Sequence, residues 1–238
     1  MKQTPQYLDV TLASVIDFGN ETQQFDLAFE PGAAMEFIPG QFVAVLCPHE
    51  GKIIRRAYSI ASSADEKNHL ELIIKRVEGG IVTRWFWELK TGDRFRVHGP
   101  FGKFILPEPV DFDPVFVATG TGIAPFRSMI RYLLAQGFKR NIHLIFGARY
   151  ETMIPYHDEW LELAARYPQF TYLPTLSRPT SAWKGEAGYV QTKIDRISQD
   201  PAGKRIYICG LNEMIQAVQE AALSRGFSKD QIAFEKYD

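Results

Sequence analysis

The chain has 238 residues, 45% of them hydrophobic and 23% charged, and its 27 Lys plus Arg nearly balance 28 Asp plus Glu for a net charge of −1. One or two globular domains with real cores fit that length and composition, and the missing basic excess argues against a nucleic-acid partner. Two cysteines, Cys47 and Cys209, cannot supply the about four thiolates that an iron–sulfur cluster takes.

The two cysteines are far apart with no CxxC spacing, which implies a reducing compartment rather than a disulfide framework. The opening MKQTPQYLDVTLASV has no basic stretch ahead of an apolar core, and no apolar run nears the roughly 20 residues that span a bilayer. The expectation is a cytoplasmic protein with no membrane contact.

In chain order, the first half reads as short strands. QYLDVTLASVIDFG alternates and turns at Gly19-Asn20; TQQFDLAFEPG stops at Pro31-Gly32; FIPGQFVAVLCP enters through Pro39-Gly40. RRAYSIASS and HLELIIKRV follow, and DRFRVHGPFGKF closes the set. Short strands at this spacing predict a barrel or sandwich. One helix interrupts them, VTRWFWELK, with Trp85, Phe86 and Leu89 at helical spacing and Gly92 beyond its end.

The texture then changes. DPVFVATG, NIHLIFGAR, FTYLPTLS and RIYICG read as strands, alternating with the helices PFRSMIRYLLAQG, YHDEWLELAARYP, KIDRIS and LNEMIQAVQEAALSRG. QIAFEKYD reads as an edge strand. Alternating strands and helices predict a parallel sheet with right-handed crossovers. Three prolines in LPEPVDFDP mark the linker, so the predicted domains are 1–108, a β-barrel, and 109–238, an α/β domain.

Three motifs carry chemistry. Arg56-Ala57-Tyr58-Ser59-Ile60 alternates on a strand, with Arg56, Tyr58 and Ile60 on one face and Ser59 on the other. An arginine there can fork onto a phosphate and a tyrosine can lie along a planar ring. Gly79-Gly80-Ile81-Val82-Thr83 precedes the barrel helix and offers an anion-receiving helix start. Gly120-Thr121-Gly122-Ile123-Ala124-Pro125 follows a strand and opens another helix, with Pro125 suited to its first turn. Alone, each has a plainer reading: a cross-strand Arg–Tyr pair, a simple N-cap, and a strand-to-helix turn.

Together and in this order, the three motifs resemble the ferredoxin–NADP reductase family of FAD-dependent pyridine-nucleotide oxidoreductases. RAYS resembles the family's RxYS flavin motif and GGIVT its pyrophosphate loop. GPFG (99–102) resembles the turn that closes the barrel, GTGIAP the nicotinamide-side turn, and YICG followed by NEMI the strand and helix bordering the nicotinamide. The resemblance covers nearly the whole chain. It implies a β-barrel FAD-binding domain and a parallel-sheet, Rossmann-like NAD(P)-binding domain.

It also implies roles. Arg56 binds the FAD pyrophosphate, Tyr58 packs against the flavin or its ribityl chain, and Ser59 hydrogen-bonds near flavin N5. Gly80 and Thr83 hold the pyrophosphate through backbone and hydroxyl; Ala57, Ile74, Ile81, Val82 and Thr121 complete the FAD-contacting set. Gly120, Thr121 and Gly122 admit the second dinucleotide, and Cys209, Gly210 and Met214 border the nicotinamide. Glu235 sits near the same junction. The plainer reading of Cys209 is a small buried apolar residue.

The choice between NADPH and NADH turns on a 2′-phosphate dianion. SRPTSAWKGEAGYVQ resembles the NADP-recognising stretch of plant-like members, with Ser177, Arg178 and Tyr189 at matching separations; Ala187 stands where a lysine would be. Arg149 in FGARY resembles a second phosphate-facing arginine of bacterial-type members. The two arginines favour NADPH. Tyr237 resembles the family's terminal aromatic, but Asp238 follows it; flavin stacking, adenine stacking and a surface position all stay open.

The implied reaction is hydride transfer between NADPH and FAD, with Ser59, Cys209 and Glu235 at the junction and nicotinamide C4 within about 3–3.5 Å of flavin N5. Electrons then pass to a separate carrier, a ferredoxin or flavodoxin. Alternatives are the reductase component of an oxygenase, a free-flavin reductase, and a dinucleotide-sensing subunit without turnover. No metal is expected, since His157, Asp158 and Glu159 at a helix start would need further ligands. Family members are often monomeric.

Overall fold

A computed structural model describes residues 4–197 and 200–237. By contact, the chain forms two compact units, one holding the residues up to Leu106 together with Ala124–Leu133, the other Pro107–Ile123 and the residues from Leu134.

The first unit contains strands β1 (Gln6–Asp17), β2 (Thr22–Phe29), β3 (Phe42–His49), β4 (Lys52–Ser59) and β5 (His69–Lys75), helix α1 (Ile81–Glu88) and strand β6 (Arg94–Phe101). The strands run antiparallel in the order β4-β3-β6-β1-β2-β5, and an Ile60–Leu72 bridge joins the two ends of the sheet. Alternation puts Val10, Leu12, Phe25, Leu27, Val43, Val45, Leu70, Leu72 and Val97 on the inner face, all nearly inaccessible. Helix α1 plugs this core. Phe86 is fully buried, 4.7 Å from the Phe25 ring and 5.5 Å from the Tyr58 ring. Burying one such ring contributes about 1.5–3 kcal/mol. Its neighbours Trp85 and Trp87 pack on Phe95 and Phe25 at the barrel edge.

In chain order, the second unit begins with β7 (Asp113–Thr119), then a 3₁₀ turn (Gly120–Gly122) and α2 (Ile123–Ala135), whose body counts with the first unit. Next come β8 (Ile142–Ala148), α3 (His157–Arg166), β9 (Phe170–Leu176), the two-residue β10 (Glu186–Ala187) and α4 (Ile194–Ile197). β11 (Lys204–Gly210), α5 (Asn212–Ser224) and β12 (Ile232–Lys236) complete it. The sheet is parallel in the order β10-β9-β8-β7-β11-β12, with β12 at the edge as the sequence predicts. Asp158 and Glu159 occupy the first turn of α3, where acidic side chains suit the dipole.

The sequence reading starts α2 at Pro125; the structure starts it at Ile123, because the glycine turn coils directly into it. It did not anticipate β10 or the placement of α2. The body of α2 packs in the barrel unit through a buried ion pair. Arg127 meets the carboxylate of Glu71 on β5 and donates to the Ala61 carbonyl at 3.0 Å. Arg131 reaches Glu71 at 3.3 Å and Glu66 at 2.8 Å. Gln24 donates to the remaining Glu71 oxygen at 3.1 Å. Among the described residues, no helix is long and apolar enough to cross a membrane.

Candidate functional site

On the barrel unit, β4 lies at one end of the strand order and carries the RAYS segment. Arg56 is exposed and Tyr58 is half-buried, on the same strand face. Burial pushes the Tyr58 hydroxyl up to about 12, and the positive charge of Arg56 works against that rise. The Arg56 guanidinium donates to the Arg55 carbonyl at 3.0 Å, and a cation and an aromatic side chain stand two residues apart on one face. Ala57 is exposed. Ser59 is buried and points to the other face. Ile74 and Val82 are core residues, at 1% and 4% exposure, so their side chains serve packing.

The barrel's second feature is the start of α1. Gly80 is its N-cap and no side chain caps it. The first-turn N–H groups of Ile81, Val82 and Thr83 thus have no helical partner and present the positive end of the helix dipole. The Thr83 hydroxyl is tied into the loop. It accepts from the Val77 N–H at 3.2 Å and faces the Val77 and Gly80 carbonyls, closing the loop on itself.

An open cleft of about 400 Å³ lies at this loop, lined by Gly79, Gly80, Arg76 and Arg84 with Glu21. The sequence reading missed Arg76 and Arg84. Their signal was two arginines flanking the glycine pair. Arg56 does not line this cleft.

The second unit assembles its site at the sheet's switch point. From β7 the chain winds outward to β8 and β9, then returns to the other side of β7 for β11 and β12. The crevice at the carboxyl ends of β7 and β11 is where open α/β sheets take ligands. Thr119-Gly120 and Cys209-Gly210 are those ends. The fit there is close. A Cβ on Gly122 would stand 2.3 Å from the Cys209 carbonyl oxygen, and one on Gly210 would stand 2.5 Å from the Met214 methyl. Gly122 is therefore glycine for backbone packing. Gly120, with φ of +56° and nothing within 4 Å of a built Cβ, is the one facing open space.

Register pairs Cys209 with Glu235 and Gly210 with Lys236. The Tyr237 N–H donates to the Gly210 carbonyl at 3.1 Å, next to Cys209 in β11. Burial and the nearby Glu235 charge push the Cys209 thiol well up. It is a fully buried, protonated thiol and not a thiolate nucleophile. Tyr237 is half-buried against it, while Asp238 lies outside the described residues. Cys47 and Cys209 are both free. Ser59 belongs to the first unit, and Cys209, Glu235 and Met214 to the second.

At the carboxyl ends of β8 and β9 two exposed arginines are neighbours: the Arg178 N–H donates to the Arg149 carbonyl at 3.0 Å, and the Ser177 N–H to the Ala148 carbonyl at 2.9 Å. Tyr189 is 65% exposed nearby in sequence. Asp26, His69 and Glu71 bring ligand atoms within 4.8 Å of one another on the barrel. Glu71 already faces two arginines, which disfavours a further cation.

The Oxidoreductase FAD-binding domain family matches residues 9–105, and the Oxidoreductase NAD-binding domain family matches residues 116–220. Ferredoxin–NADP reductase B of Sorangium cellulosum is 37% identical over 222 residues, 90% of this chain and 91% of that one. The phenol hydroxylase P5 protein of Acinetobacter pittii is 36% identical over 202 residues, covering 82% of this chain but 56% of its own length. Among solved structures, a cytochrome P450 reductase of Amycolatopsis superposes with a TM-score of 0.89 at 30% identity, over 99% of this chain and 71% of that one. With both domains matched and a full-length relative at this identity, the chain belongs to the ferredoxin–NADP reductase family of FAD-dependent, NAD(P)-linked oxidoreductases.

Proposed function

We propose that this protein is an NADPH-preferring reductase that takes hydride onto FAD and hands electrons to a ferredoxin or flavodoxin, working as a monomer in the cytoplasm. The observation that carries the NADPH preference is the Arg149–Arg178 pair. Two exposed arginines are joined backbone to backbone by a hydrogen bond, with no carboxylate bonded to either among the described residues. Such a pair matches a phosphate dianion. Ser177 adds a hydroxyl and Tyr189 an exposed ring.

In this reading FAD is held by Arg56 at its pyrophosphate, by the backbone of Gly80, Ile81, Val82 and Thr83, and by the face of Tyr58, with Ala57, Ser59, Ile74 and Thr121 alongside. The donor set fits: an uncapped helix start, an exposed arginine and an aromatic surface suit an anionic, ring-bearing group. FAD, when bound, supplies hydride acceptance and single-electron release. The protein's residues bind and orient. Gly120, Thr121 and Gly122 form the turn at the switch point, and Cys209, Gly210 and Met214 wall the nicotinamide side, with Tyr237 behind Cys209. Glu235 keeps a carboxylate beside that wall. Direct hydride transfer needs no general acid, consistent with a buried, protonated Cys209.

The carrier is proposed from the Sorangium relative, which this chain matches over nearly its full length. The phenol hydroxylase relative favours a second reading, the reductase component of an oxygenase, but this chain spans little more than half of it. Arg178→Ala tests the preference. It should raise the KM for NADPH at least about tenfold, the equivalent of about 1.4 kcal/mol, and leave that for NADH nearly unchanged. Equal losses for both nucleotides would defeat the assignment.

A further inference from the structure

Within the segment from Ser177 to Tyr189, Trp183 is half-buried while most of its neighbours are exposed. Both limbs of the segment are tied to the sheet. The outgoing limb hangs on β8 through the Ser177 and Arg178 N–H groups. The returning limb pairs with β9: the Gly188 N–H donates to the Leu176 carbonyl at 2.8 Å, and buried Thr175 donates its hydroxyl to the Gly188 carbonyl at 2.9 Å. Glu186 is further held by Lys193 at 3.0 Å and Arg196 at 3.4 Å.

Between these anchors the exposed tip is closed by Trp183. Its indole N–H donates to the Glu186 carbonyl at 2.9 Å, and its backbone N–H to the Thr180 carbonyl at 3.1 Å. The ring lies so close over Gly185 that a Cβ there would stand 2.5 Å from it. Beneath it is His157, ring centroids 6.3 Å apart, itself bonded through Nδ1 to the Tyr172 hydroxyl at 3.0 Å. Trp183 thus links the limb bearing Arg178 to the limb bearing Tyr189 and to the body of the unit.

We propose that Trp183, seated on Gly185, is a positioning residue for the nucleotide's 2′-phosphate: it preorders the loop that presents Ser177, Arg178 and Tyr189. This rests on the NADPH reading above. A loop ordered before binding loses less conformational freedom on binding, so the keystone acts on affinity and not on the hydride step.

The test is steady-state oxidation of NADPH and NADH by the FAD-loaded protein with ferricyanide as acceptor, alongside thermal unfolding. Trp183→Ala should raise the KM for NADPH about tenfold at unchanged kcat, with a smaller change for NADH. Gly185→Ala, which keeps the tryptophan but pushes its ring away, should act in the same direction. Trp183→Phe, which keeps a ring, should recover most of the loss. An NADPH KM unmoved by both Trp183→Ala and Gly185→Ala overturns the proposal, as does an equal rise for both nucleotides that tracks lost thermal stability. Arg178→Ala, run in parallel, separates the two layers. If it discriminates against NADPH while the Trp183 variants do not, only the positioning role falls; if it does not discriminate, the NADPH reading falls and the positioning role with it.

Discussion

Gly122→Ala is expected to raise the KM for either pyridine nucleotide at least about tenfold, about 1.4 kcal/mol, and to cost about 1–3 kcal/mol of stability as an overpacked site. The added methyl would sit 2.3 Å from the Cys209 carbonyl oxygen and 2.6 Å from its carbon. Both are backbone atoms of β11, so no side chain can swing aside. The turn has to move off the switch point, and the crevice between β7 and β11 changes shape. Gly120→Ala is the contrast. Its Cβ meets nothing within 4 Å, and only the left-handed φ of +56° opposes it, at roughly 1–2 kcal/mol. Nucleotide titration and thermal unfolding of the two variants measure the difference. Equal behaviour would remove the packing role assigned to Gly122.

Arg127→Met should lower stability by about 3 kcal/mol, the lower part of the range for breaking a buried pair. Glu71 would be left as a buried carboxylate, with Arg131 still 3.3 Å away to compensate in part. For a protein of this size the melting midpoint should fall by about 6–12 °C. Replacing both partners, Arg127→Met with Glu71→Met, should recover much of the loss, because no unpaired charge stays buried. Arg140→Met, which opens the more exposed pair with Asp113, should cost no more than about 1 kcal/mol. A single-variant loss no larger than that of Arg140→Met would show the Arg127 pair to be energetically idle.

Much of this was legible in the chain because periodicity and turns are local. Gly19-Asn20 marked the first hairpin, and both residues have positive φ. Trp85, Phe86 and Leu89 at helical spacing marked the helix that interrupts the strands, and the strand–helix alternation after Asp113 gave the parallel sheet. Long-range pairings were not legible. Nothing near Arg127 in sequence announces Glu71, 56 residues away, so the grouping of α2 with the barrel could not be read. That Gly122 packs against the Cys209 backbone across the sheet is visible only in the fold. The contact of the Thr83 hydroxyl with Val77, six residues back, was not legible either. The seat of the Trp183 ring on Gly185 is likewise a matter of the folded loop.

The central claim is that the barrel retains FAD and that a pyridine nucleotide reduces it there. The direct measurement is anaerobic addition of NADPH to protein that has been loaded with FAD and passed through gel filtration. The account predicts that the yellow colour stays with the protein and that its visible flavin band bleaches in proportion to added NADPH. Protein that emerges colourless after loading, or retained flavin that neither NADPH nor NADH bleaches, would contradict it.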